Sequence, residues 1–188
     1  FKDHSVEDQA FNLRGNAYLA MEENREAQDD YVVALEVAQR WDHDVVAAEA
    51  LFSLADLAVS EGEAMKGDEG SARIKEAMPY IKNFWENYGM DSPLRRQMAV
   101  MQLPVFIEFD RLDEALERLR AIIKELAAAD DVMAMEKTIP HYTEAYMEAY
   151  SAEQLRDHYR AFEGISLDMK AARAILAVEV IRIFEKVA

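Results

Sequence analysis

Three features of this chain invite a chemical reading: its histidines, its carboxylates and one glycine-rich acidic stretch. Asp42-His43-Asp44 sets ligand-type side chains in succession. It also stands where a helix should begin, and there an aspartate caps the backbone and complements the helix dipole. A metal site built on helices needs His and carboxylate three or four places apart on facing helices. His4, His43, His141 and His158 show no such repeated pairing, so structural histidines, no metal and no cofactor are expected. Cysteine is absent, which removes disulfides, thiolate ligands and thiol nucleophiles. No Ser or Lys stands in a nucleophile motif. The stretch "SEGEAMKGDEGSA" holds three of the six glycines, but its spacing fits no phosphate loop and its acidic residues would repel phosphate. A loop lengthening one helix hairpin is expected there. With no catalytic constellation, the chemistry points to binding rather than to an enzyme.

The elements that must position such a binding surface are helices. Of the 188 residues, 51% are hydrophobic and 31% charged, with only 6 Gly and 4 Pro. That composition is globular and helix-forming. No segment alternates with period two, so the expected class is all-α. Start and stop signals divide the chain into helices at about 5–21, 24–39, 42–60, 71–88, 93–109, 111–129, 131–149, 152–163 and 167–187. Among these signals are Asn24, Asp42, Asp110 and Asp131 read as caps, and Asp91-Ser92-Pro93, a capping oxygen before a first-turn proline. Pro79, Pro104 and Pro140 fall inside expected helices and should kink them. Short links imply antiparallel pairs.

The first pair carries a pattern. Phe11, Gly15 and Tyr18 on one helix are followed by Ala27, Tyr31 and Ala34-Leu35 on the next. This spacing resembles a tetratricopeptide repeat, in which small residues let helices approach and aromatics fill the gaps between pairs. Arg14 stands where the pattern asks for Leu, with Leu13 one place away. The resemblance extends more weakly to repeats at about 42–89, 92–129 and 131–164, with Phe106, Ala115, Tyr146 and Tyr159 in repeat-core places. It implies one domain over 1–188, an α-solenoid of about four antiparallel pairs plus a terminal helix at 167–187, of the type with repeats near 40 residues.

In such arrays the first helices line the concave face. The inward positions are then Gln9, Asn12, Asn16 and Leu19, then Glu49, Phe52, Asp56 and Val59, then Gln97, Val100, Pro104 and Ile107, and last Lys137, Pro140, Glu144 and Met147. The resemblance implies a non-catalytic scaffold whose concave face binds a protein or peptide. The alternative is a regulatory or sensor module of a larger signalling protein that binds a peptide or its own parent chain. Relatives that grip a C-terminal carboxylate do so with Lys and Asn. Here Asn12 and Ser53 replace two of those residues, and Gln97 and Met101 stand where cations would serve, so that clamp is not expected.

The net charge of −16 disfavours nucleic acid and anionic membrane surfaces and favours a basic or amphipathic partner. No apolar run of about 18 residues is present, so a membrane span is not expected, and a cytoplasmic location is, with the periplasm left open. The opening residue, Phe1, suggests a piece of a longer chain. From Ile175 to Phe184 only Glu179 and Arg182 are polar. A helix apolar over so wide an arc should both cap the array and meet a partner, with Ile181 and Phe184 as the expected interface of a homodimer.

Overall fold

The computed structural model describes residues 6–65, 67–89, 92–129, 131, 133–135, 137, 138 and 140. The chain divides into two compact units, Phe1–Phe109 and Asp110–Ala188. The described residues form no strand, and eight helices have defined bounds among them: α1 (Glu7–Ala20), α2 (Asn24–Arg40), α3 (Asp44–Ala64), α4 (Asp68–Lys75), α5 (Met78–Asn87), α6 (Arg95–Met101), α7 (Leu103–Glu108) and α8 (Leu112–Ala128); residues 133–135, 137, 138 and 140 are helical as well.

In the first unit α1 packs along α2, α2 along α3, and α1 also touches α3. Helix α3 further meets α4, α5 and α6, so it is surrounded by neighbours. Its composition suits that place: Ala47, Ala48, Ala50, Leu51, Leu54, Ala55, Leu57 and Ala58 are all buried. Small residues admit several helices at once, and the leucines fill the spaces between them. Around Tyr31, Ala27 and Leu54 form a fully buried centre, with Tyr18, Val32, Leu35 and Tyr80 packed against it. A methyl group added at Gly15 would stand 2.6 Å from Tyr31 Cε1, so the ring occupies the space a side chain at 15 would need.

Polar ties fix the helices to one another. Arg14 donates from Nε and Nη2 to the two oxygens of Asp30, each at 2.6 Å, joining α1 to α2. Its side chain thus meets a buried carboxylate at the position where the repeat pattern asks for Leu. Asp8, wholly buried, lies 2.5 Å from His43 Nδ1 and holds the first turn of α1 against the turn before α3. Arg73 of α4 donates to Glu61 of α3 at 2.7 Å and to Gln28 of α2 at 2.8 Å. Trp85 Nε1 donates to Gln102 Oε1 at 2.8 Å, joining α5 to the break between α6 and α7.

Several expectations need correction. The stretch expected as a loop is largely helical: α3 runs to Ala64 and α4 starts at Asp68, with a short break between them. Only Gly67 needs glycine for its backbone, at φ +70°. Gly62 and Gly70 serve a close crossing instead, since a methyl on Gly62 would lie 2.7 Å from the Gly70 carbonyl oxygen. The helices expected over 71–88 and 93–109 are each two helices. Pro79 and Pro104 do not kink a continuous helix but stand in the first turns of α5 and α7. Proline lacks the N–H an interior turn needs, yet its fixed φ suits a helix start. Asp42 is not the cap of α3, a place His43 takes; Asp42 and Asp110 adopt left-handed backbone, with φ of 56° and 54°, as does Glu22 at 62°. Asn24 is the first residue of α2, and its amide donates to Glu61 at 2.8 Å rather than capping. Ser92 does present its hydroxyl oxygen to Leu94 N–H at 3.1 Å, and Asp131 to Ala134 N–H at 3.0 Å.

In the second unit Ala115, Leu119, Ile122 and Ile123 are buried among the described side chains of α8, a stripe at helical spacing. Ala134, Met135 and Thr138 are buried beyond it, with the Thr138 hydroxyl donating to Ala134 O at 2.7 Å.

Candidate functional site: a groove between α1 and α3

Between α1 and α3 of the first unit lies a groove of about 480 Å³. Gln9, Asn12 and Asn16 come from one face of α1, at spacings of three and four. Val46, Glu49, Phe52 and Ser53 come from the matching face of α3. Leu13 and Val45 stand at its sides, 68% and 61% exposed, and Leu94 closes one end from the turn before α6. The result is a surface of exposed apolar groups interleaved with amides and a carboxylate.

Its floor is held by hydrogen bonds. The Tyr31 hydroxyl reaches up from the core and donates to Asn16 Oδ1 at 2.7 Å. Burial pushes the Tyr31 phenol above its ordinary pKa, hydrogen bonding with Ser53 opposes this, and the Asp56 charge adds to it. The phenol therefore stays a neutral donor. Asn12 donates from Nδ2 to Glu49 Oε2 at 3.2 Å, bridging the two helices across the groove. The Arg14 and Asp8 ties lie outside the groove and fix how α1 presents its face.

Of the expected concave residues, Asn12, Asn16, Glu49 and Phe52 come together in this groove. Asp56 lies half-buried one turn further along α3, where burial pushes its carboxyl up. Val59, expected at the surface, is buried, because α3 has neighbours on that side too. Leu19 lines a separate cleft with Leu57, Glu61 and Met65. Val100 is half-buried on α6 and Ile107 is exposed on α7, and neither lines the groove. Among the repeat-core residues, Gly15, Ala27, Tyr31, Phe106 and Ala115 are buried, while Phe11 and Tyr18 are half-buried. Glu144, Met147, Tyr146, Tyr159, Ile181 and Phe184 lie outside the described residues.

Leu13, Val45 and Leu94 were not singled out by the sequence. Leu13 reads as a core residue by type, and only its offset from the repeat register hints that it faces elsewhere. Asp42-His43-Asp44 brings no metal ligands together: His43 is engaged by Asp8, and no group of three or more His, Asp or Glu among the described residues could hold a metal ion. Among the described residues no helix is long and apolar enough to cross a membrane. In comparison with known proteins, the chain matches no family model, no curated protein and no solved structure.

Proposed function

We propose that this chain is a non-catalytic binding module that holds a polypeptide segment in the groove between α1 and α3. The observation that carries the reading is the groove's make-up: exposed Leu13 and Val45 beside Asn12, Asn16 and Glu49, presented by two helices locked from behind. Apolar anchors with a few fixed polar groups suit peptide recognition. The packing order supports a tetratricopeptide-like array as the scaffold. Alternate first helices touch, α1 with α3 and α3 with α6, while α2 and α4 pack between successive pairs.

The test is selection of binders from a random peptide-display library on the immobilised full chain. Enriched peptides should lose affinity at least tenfold on the Leu13→Glu and Phe52→Glu variants, with circular dichroism unchanged. Failure to enrich any peptide, or enrichment indifferent to both substitutions, removes the groove as the site.

A further inference from the structure

Asn12 lies in the floor of the groove and is only 7% exposed. Its neighbour Glu49 fixes which way the amide points. A carboxylate has no proton to give, so the nitrogen must face Glu49 Oε2 and the oxygen must face away. That oxygen is buried and finds no donor among the described residues. A buried acceptor without a partner is costly, and protein interiors seldom leave one unless a ligand or water supplies the missing donor. The groove around it offers acceptors and no cation: none of its lining residues is Lys or Arg. Glu49 is exposed, so an incoming donor can take over its carboxylate, and the released Asn12 amide can then turn its oxygen from the buried side toward the groove.

We infer that the groove receives an arginine side chain of the bound polypeptide, its guanidinium donating to Asn12 Oδ1 and to the Glu49 carboxylate. An apolar residue beside that arginine rests on Leu13 and Val45. The inference rests on the peptide-binding reading above and names what that peptide must carry. Arginine fits better than lysine. Its planar fork presents several donors in fixed directions and can meet two acceptors at once, whereas an ammonium is a strongly hydrated point charge. The chain's net charge of −16 draws such a segment in.

The experiment uses the full chain and two acetylated, amidated pentapeptides, Gly-Leu-Arg-Val-Gly and the same peptide with norleucine for arginine. Binding is followed by amide resonance shifts. The arginine peptide should shift groove resonances and bind at least tenfold more tightly than the norleucine peptide. Glu49→Gln, a change at an exposed position, should weaken the arginine peptide about tenfold and leave the norleucine peptide unchanged. Asn12→Leu should do the same without lowering the melting temperature. If both peptides bind equally and Phe52→Glu abolishes both, the groove binds peptides but not through arginine, and this inference is overturned alone. If neither peptide shifts groove resonances, the inference is overturned, and the library selection then decides separately whether the groove binds peptides at all.

Discussion

Gly15 sets two effects of opposite sign against each other. Alanine is favoured over glycine inside a helix by about 1 kcal/mol, so Gly15→Ala on an open surface would stabilise. Here the added methyl would sit 2.6 Å from the Tyr31 ring, and that ring is pinned by its hydroxyl to Asn16. Overpacking of this kind costs about 1–3 kcal/mol, so the sterics should win and the variant should unfold at lower urea than the parent. A variant as stable as the parent or more so would mean that Tyr31 yields easily. Asp56 gives a second contrast, in pH. Burial raises its pKa in the folded state, so the folded protein holds that proton more tightly than the unfolded chain does. Its contribution to stability therefore falls as pH rises from the unfolded aspartate value, about 3.9, through the folded one. Asp56→Asn should raise the melting temperature at pH 7, and the difference should shrink below about pH 4. A difference that grows toward acid would show that the carboxylate is stabilised where it stands.

The turns between helices carry a recurrent strain. Glu22, Asp42 and Asp110 all take left-handed backbone directly after a helix. After α1 the closing bonds are Glu22 N–H to Leu19 O and Glu23 N–H to Tyr18 O, both 3.0 Å, and after α2 His43 N–H reaches Ala38 O at 2.9 Å. Such ends favour glycine, because a side chain there crowds the next carbonyl at about 1 kcal/mol or more. Glu22→Gly should accordingly gain up to about 1 kcal/mol, read from urea midpoints, and a loss would show that the Glu22 side chain contributes more than its backbone gives up. At this level much can be read without coordinates. Apolar spacing and turn residues bracket α1, α2 and α8 to within two residues at each end. What cannot be read that way are features that depend on a neighbour. Gly62 and Gly70 look like loop residues until α4 is seen crossing α3. Gln102 looks like mid-helix until Pro104 starts a new one, and helical phase does not carry across that break, so Val100 and Ile107 need not share a face. In the groove, period alone groups Gln9, Asn12, Asn16, Glu49 and Phe52, whereas Leu94 arrives from a turn far along the chain.

Over the first unit as a whole, the position of α3 governs how the fold comes apart. Five helices touch it, and residues from Ala47 to Val59 are mostly sealed from solvent. In a strictly linear array each element leans on its nearest neighbours, and the ends can open while the middle stays folded. Here no helix of the unit can expose α3 on all sides by leaving alone. Amide protons of α3 should therefore exchange with deuterium only through the rarest and largest opening, while those of α1, which packs chiefly on α2 and α3, exchange through smaller ones. Hydrogen-exchange mass spectrometry of the intact chain would show α3 peptides as the slowest of the unit, all sharing one rate constant. Faster labelling of α3 than of α2 would place the last-surviving structure elsewhere. The same arrangement shapes how this unit is degraded: a protease that cuts a turn at its edge finds little to pull on next, so proteolysis should pass from the intact unit to small fragments with few stable intermediates between.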